Sequence, residues 1–378
     1  MSKYRRRIVI VYIAISILFT FILKKTFERP QPLHGFTILF WTQFFYNPFP
    51  LHYLDDCPEL KRHCRLSRNR AELQRSDAVI FHHADISAND LPSATNRSYT
   101  QRFVYFNHES AADNKRHMLE SLPAGFFNLT MTTRLDSDMP WPYSFYVKRP
   151  ITELPANYTA QIDDEIDQAL AVKTGLAAWM ASNCFTNSKR EEYMKVLRLI
   201  GLQYDTYGSC GDMQCDKTQL TPCYKQLASK YKFYFALENS VCRDYVTEKV
   251  LLTLDQYCVP IVLSRKTAER ILPPSSFIPL DDFKNVSQFA QFLTYLDRND
   301  VAYRQYFEWK KNGYKRYNYY PGKQYGICGL CEKLISKTLP IKWYDSIATW
   351  WYDNSNCQAD FAEKFVLPML LSTNELSS

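Results

Sequence analysis

Three residues invite chemistry before any fold is considered. In the stretch KFYFALENSVCRDYVTEKVLLTLDQYCVPIV, residues 232–262, Tyr245, Glu248 and Lys249 stand at i, i+3 and i+4. That spacing puts side chains on one face of a helical turn. A carboxylate there can accept hydrogen bonds from the two hydroxyls of a ribose, and an ammonium beside the positive end of a helix can meet a phosphate. The same residues also fit a solvated Glu–Lys pair on a surface helix. A second candidate is Glu109, just past the apolar run RFVYF, with His108 beside it. Either side chain can take a proton from an attacking hydroxyl, and an imidazole has the more nearly neutral pKa. Asp136 and Asp138 form a DxD, a short pattern able to hold a metal ion against a diphosphate. Cys328 and Cys331 form a C-x-x-C, which reads either as structural or as redox-active.

These groups must be held by elements that the apolar pattern outlines. KFYFAL and CVPIVL are short apolar runs, candidates for buried strands. Glu238, Asn239 and Ser240 interrupt them, Asp244 is placed to cap a helix, and Val250, Leu251 and Leu254 continue at helical spacing. The result is a strand–loop–helix–strand unit that presents a helix N-terminus to an anion. Upstream, FTILFWTQFF from Phe36, AVIFH and RFVYF read as strands, with RLSRNRAELQRSD as a helix between the first two. This alternation predicts an open α/β sheet, whose ligands sit beyond the carboxyl ends of strands. Further on, LAAWMASNCF reads as a strand. SKREEYMKVLRLIGL reads as a helix with Tyr193, Val196, Leu197 and Ile200 inward, and NVSQFAQFLTYL as another with Phe289, Phe292 and Leu293 inward. Gly208 in YDTYGSC reads as a turn residue. The polar text ITELPANYTAQIDDEIDQALAVK marks a linker and a domain boundary near 160–172.

Bulk properties bound the possibilities. A chain of 378 residues with 27 Tyr, 24 Phe and only 10 Gly is long enough for two domains with large cores. Six of the seven excess positive charges fall within residues 1–25, leaving 40 basic against 39 acidic residues elsewhere. Composition therefore offers no concentrated basic face for nucleic acid. Residues 8–23, IVIVYIAISILFTFIL, follow three arginines and precede Lys24 and Lys25. They read as a short transmembrane signal anchor with a cytosolic amino end. No small-residue cleavage site follows, which argues against a cleaved signal peptide. The body then faces a lumen. Sequons at Asn96, Asn128, Asn157 and Asn285 and eleven cysteines agree with that, the odd count leaving at least one thiol unpaired or intermolecular. Cys57 and Cys64 can pair locally or elsewhere. With only His52 and His63 nearby, a zinc site there is disfavoured.

ENS, DYVTEK and VPIVL together resemble the signature of the α1,3-fucosyltransferases, inverting enzymes that use GDP-fucose. QRFVYFNHES resembles the stretch in which that family's base lies, with Ala111 in place of a proline. FFNLTMTTRLDSDMPWPYSFY, KTGLAAWMASN with SKREEYMKVL, YG-x-CG and CGLCEKL resemble further blocks in the same order. The resemblance implies an α/β, GT-B-like fold with two Rossmann-type domains facing a cleft. Its divisions are a cytosolic tail (1–7), the anchor (8–23), a short stem (24–35), an acceptor-side domain (36–165), a donor domain (166–350) and a tail (351–378). It implies Glu109 as base, with Arg190, Asn239, Tyr245, Glu248 and Lys249 around GDP-fucose. The acceptor is then O3 of an N-acetylglucosamine unit on glycoproteins, or on glycolipids. No metal ligand is implied, although a divalent ion can stimulate. Cys57, Cys64, Cys210, Cys215, Cys223, Cys328 and Cys331 become disulfide candidates, and the protein a single-pass Golgi membrane protein with a lumenal catalytic body. The alternatives are a catalytically inactive glycan-binding protein, a metal-dependent glycosyltransferase using Asp136 and Asp138, and a lumenal redox protein.

Overall fold

The computed structural model describes residues 35–93, 97–215, 220–317 and 325–364. The expected anchor, nearly all of the stem and Asn96 lie outside the described residues. Among those residues no helix is long and apolar enough to cross a membrane.

Two five-stranded parallel sheets organise the chain. The first contains β1 (Phe36–Phe40), β2 (Cys64–Ser67), β3 (Ala78–His82), β4 (Arg102–Asn107) and β5 (Leu129–Thr132), in the order β2-β1-β3-β4-β5. After the short β6 (Phe145–Lys148), the second is built from β7 (Gly175–Met180), β8 (Asp205–Tyr207), β9 (Tyr231–Phe235), β10 (Val259–Val262) and β11 (Ile278–Pro279). Its order is β11-β10-β9-β7-β8. Parallel strands covered on both faces bury every side chain, so they read as unbroken apolar runs. In β3, Ala78 and Ile80 enter one core while Val79 and Phe81 enter another. In β9, Phe233 and Phe235 enter one core while Tyr234 enters the other. A two-stranded antiparallel ladder of β6 with β12 (Tyr314–Tyr317) joins the segment between the sheets to the late chain.

Several expectations need correction. The polar linker is instead a helix, Tyr158–Ala171, that buries Ile162 and Ile166 in the core of the second sheet. Its apolar residues at i and i+4 are isolated among acids and amides, so the stripe is narrow. The helix expected before β3 is a single 3₁₀ segment, Arg70–Arg75. Ile200 lies just past the end of the helix Arg190–Leu199 and is 37% exposed, not inward. The late chain also returns. Helices Gly326–Ile335 and Ile347–Tyr352 pack against the first sheet, although all but Trp351 and Tyr352 of them fall in the expected donor domain.

Disulfides secure that return. Cys57 pairs with Cys328 and Cys64 with Cys331, so neither a local Cys57–Cys64 bridge nor a redox pair between Cys328 and Cys331 forms. The remaining pairs are Cys184–Cys210, Cys215–Cys223 and Cys242–Cys357, and Cys258 is a buried free thiol.

Of the sequons, Asn157 and Asn285 are exposed. Asn128 is not available: it is 2% exposed, accepts from Phe103 N at 2.9 Å and donates to the Lys342 carbonyl at 2.8 Å. Its amide holds the start of β4 against the returning chain. Asn128→Ala is expected to cost about 1–3 kcal/mol, the penalty of unpaired buried polar groups, and to leave electrophoretic mobility before and after deglycosylation unchanged. Denaturant unfolding and a mobility assay check both.

Candidate active site

A cleft of about 270 Å³ opens beyond the carboxyl ends of β4, β7 and β9. Glu109, Arg190, Asn239, Tyr245, Glu248 and Lys249, the six side chains singled out from the sequence, all line it. They come from both sheets: Glu109 follows β4, Arg190 opens the helix after β7, and the other four follow β9.

The local geometry around 238–249 differs from expectation. The helix is short, Glu248–Leu254, and starts after Thr247, not after Asp244. Asp244 has φ +60°, and its buried carboxylate accepts from Leu135 N at 3.0 Å and from Arg270 Nε. It ties the two halves of the molecule together instead of capping a helix. Glu238 Oε1 accepts from Thr247 N at 2.8 Å and from its hydroxyl at 2.7 Å, fixing the residue that precedes the helix. Glu238 Oε2 lies 2.9 Å from Lys249 Nζ, which also reaches Glu248 Oε1 at 3.2 Å and Thr247 Oγ1 at 2.8 Å. Burial alone would lower the Lys249 pKa, but Glu238 and Glu248 outweigh it and the net shift is upward. Glu238, which positions Lys249 and Thr247 at the cleft, is the residue to which sequence reasoning gives no role. Its signal was an acid placed directly after an apolar strand.

Arg190 is 3% exposed. Its Nη1 and Nη2 donate to the carbonyls of Leu237 and Asn183, and Nε has no partner. Among the described residues no carboxylate pairs with it, so the cleft wall carries a buried, uncompensated guanidinium, the donor set that a diphosphate satisfies. Gly208 lines the same cleft with φ +82°, and a Cβ there would lie 2.6 Å from the Ala181 carbonyl oxygen.

Glu109 Oε2 accepts from the Tyr245 hydroxyl at 3.0 Å, and the Glu109 N–H donates to Asn107 Oδ1 at 2.9 Å. Burial raises the carboxyl pKa. The Tyr245 hydrogen bond and the Lys249 charge oppose the rise, Glu238 and Glu248 add to it, and the net direction is upward. Tyr245 is itself 3% exposed, so its hydroxyl is committed to Glu109. His108 is a poor rival. Its ring packs edge-on against Trp141 at 4.5 Å, and burial holds its pKa down at about 3. Glu109 also borders a second cavity of about 270 Å³ on the side of the first sheet, lined by Phe45, Asp113 and Phe185 among others.

The DxD carboxylates are engaged elsewhere. Asp136 pairs with Arg134 at 2.7 Å and Arg243 at 3.2 Å. Asp138 accepts from Thr130 N at 2.9 Å and Tyr344 at 2.8 Å and pairs with Lys342. Neither lines the cleft. Asp138 fastens β5 to the returning chain and Asp136 is held by two arginines, which removes the reading in which they hold a metal against the donor.

Two parallel α/β sheets with a cleft at their strand ends, lined by a carboxyl of raised pKa and a guanidinium with no paired carboxylate among the described residues, suit an α/β group-transfer enzyme. Residues 34–144 match the family described as fucosyltransferase, N-terminal, and residues 170–350 match glycosyltransferase family 10 (fucosyltransferase), C-terminal. Alpha-(1,3)-fucosyltransferase C of Drosophila melanogaster is 32% identical over 351 residues, covering 85% of this chain and 79% of that protein. Alpha-(1,3)-fucosyltransferase fut-1 of Caenorhabditis elegans is 37% identical over 258 residues, 68% of this chain, and the chain spans only 55% of that relative. The human 4-galactosyl-N-acetylglucosaminide 3-alpha-L-fucosyltransferase FUT5 is 37% identical over 280 residues, covering 72% and 70% of the two chains. A crystal structure of an alpha1,3-fucosyltransferase shares the fold, with TM-score 0.50 and 18% identity over 85% of this chain and 95% of that one. The chain belongs to the α1,3-fucosyltransferase family of glycosyltransferases.

Proposed function

We propose that the protein transfers L-fucose from GDP-fucose to O3 of an N-acetylglucosamine unit, in one displacement that inverts the anomeric centre. The observation that carries this reading is the position of Glu109, among the described residues the one carboxyl that borders both the cation-lined cleft and the cavity on the other side. With the donor in the cleft and the acceptor in the second cavity, Glu109 takes the hydroxyl proton as that oxygen attacks the anomeric carbon. The bond from that carbon to the diphosphate breaks, and its electron pair leaves with GDP. Arg190 and Lys249 neutralise the departing charge. Glu248, whose carboxylate is 43% exposed, is free to accept from the ribose hydroxyls, and Asn239 lines the same wall. Tyr245 sets the proton affinity of Glu109 instead of holding the ribose.

The name of the human relative supports N-acetylglucosamine as acceptor. Five disulfides suit an oxidising lumen and so support the Golgi, type II arrangement with an anchor at 8–23. The body then divides into an acceptor-side unit on the first sheet and a donor unit on the second.

Glu109 works deprotonated, so activity falls as pH drops through its raised pKa. The Tyr245 hydrogen bond lowers that pKa. Tyr245→Phe removes it, so the acid limb of kcat/KM is expected to move to higher pH while the alkaline side stays in place. A limb unchanged or shifted to lower pH would contradict the assignment.

A further inference from the structure

The acceptor-side cavity has two aromatic residues on its wall: Phe185, left in water, and Phe45, 38% exposed in a strained turn with its ring against Phe44 at 4.9 Å and His82 at 4.7 Å. Phe185 is 89% exposed, yet its loop is pinned on both sides. Cys184 is bridged to Cys210, and Thr186 gives its N–H and hydroxyl to Glu191 at 3.0 and 2.8 Å. A phenylalanine left in water on an anchored loop gains no burial.

Phe45 is the second. Phe44 N and Asn47 N donate to each other's carbonyls at 2.9 and 3.1 Å, closing a two-residue turn. Phe45 and Tyr46, at its centre, have φ +50° and +63°. A turn with positive φ at both central positions normally takes Asn-Gly, because a bulky side chain is strained there. The strain is held by Asp85, whose carboxylate accepts from Phe45 N at 2.9 Å and Tyr46 N at 2.8 Å and is anchored by His82. The hydrogen bonds from Tyr46, His82 and Phe45 outweigh burial and keep the Asp85 carboxyl below its ordinary range, as an acceptor. Strain maintained by a dedicated buried carboxylate points to function more than to folding.

We propose that Phe45 and Phe185 grip the acceptor glycan, their ring faces stacking on the C–H faces of its pyranose units while an acceptor hydroxyl reaches Glu109. Sugar recognition needs apolar faces of this kind combined with a few fixed polar groups. The same cavity supplies the latter in Asp113, held by His83 at 2.7 Å, in Lys115, and in Asn187, which donates to the Ala112 carbonyl. The two rings stand on loops from opposite sheets, so they select acceptors long enough to touch both, a disaccharide or larger in preference to the monosaccharide. This assignment rests on the proposed transfer reaction.

The test is steady-state kinetics of the full chain with Phe45→Gly, Phe185→Ala and Phe185→Trp, using GDP-fucose with N-acetyllactosamine or free N-acetylglucosamine. Thermal unfolding and GDP titration run in parallel. Phe185→Ala and Phe45→Gly are each expected to raise the KM for the disaccharide at least tenfold, only the variant of the ring that meets N-acetylglucosamine also raising it for the monosaccharide, with no effect on GDP affinity. Phe185→Trp restores the KM. Phe45→Gly relieves a strained φ but also loses the ring contacts with Phe44 and His82, so its Tm is the folding control and the exposed Phe185 decides the proposal. Disaccharide KM values within twofold of wild type for Phe185→Ala, a residue too exposed to affect folding, would overturn the proposal. An equal loss of GDP affinity would overturn it as well. Failure of the underlying reaction shows separately, as absence of transfer by the wild type.

Discussion

Glu109→Gln is expected to lower kcat and kcat/KM together by about 10²–10⁴-fold, the range for loss of a general base, with GDP affinity unchanged. The substitution suits the question because it keeps the shape of the site. Glutamine still offers an oxygen to the Tyr245 hydroxyl, which now donates to Glu109 Oε2 at 3.0 Å. The backbone N–H stays bonded to Asn107. Only the ability to take a proton goes. The raised pKa of the native carboxyl is part of the same argument, since a base with greater proton affinity draws the proton more strongly from an acceptor hydroxyl. Single-turnover transfer with saturating donor, alongside calorimetric titration with GDP, separates lost chemistry from lost binding.

Lys249→Ala is expected to fail twice over, and the two failures can be separated. Removing the ammonium leaves the Glu238 carboxylate, 10% exposed, without its partner at 2.9 Å. Breaking one side of a buried pair costs about 3–5 kcal/mol of stability. The donor also loses a charge-assisted hydrogen bond, which weakens GDP binding by about 1.5–3 kcal/mol. The double variant Lys249→Met with Glu238→Gln removes the stranded charge, and a glutamine oxygen can still accept from Thr247 N and its hydroxyl. The pair is therefore expected to recover most of the stability and none of the GDP affinity. If affinity returned with stability, Lys249 would be a structural cation and Arg190 would carry the diphosphate without it.

The parts of the molecule that were legible in the sequence share a physical cause. Strands such as AVIFH and RFVYF are buried on both faces, so each is an unbroken apolar run. The cleft forms where such runs end, which is where Glu109 and Asn239 lie, although it is the family resemblance that implies their roles. The rest depends on contacts that sequence spacing does not encode. The helix Tyr158–Ala171 shows water too wide a polar face for Ile162 and Ile166 to mark it. Asp244 looked like a helix cap because nothing in its neighbourhood announces Leu135 and Arg270, which meet its carboxylate from distant segments. Cysteine partners 271 and 267 residues apart follow from the return of the late chain to the first sheet. Tyr245 was grouped with Glu248 and Lys249 by helical spacing. It reaches the cleft from the loop before the helix, and its hydroxyl points to the carboxyl of the other sheet.

In the proposed reaction one carboxyl, Glu109, drives fucose transfer from a donor held by Arg190 and Lys249. Its most direct test is to incubate wild type and Glu109→Gln with GDP-fucose and N-acetyllactosamine and read the products by mass and linkage. Wild type should add one deoxyhexose at O3 of the N-acetylglucosamine, and Glu109→Gln should add almost none while still binding GDP. Undiminished transfer by Glu109→Gln, or no transfer by a wild-type protein that binds GDP-fucose, would contradict the account.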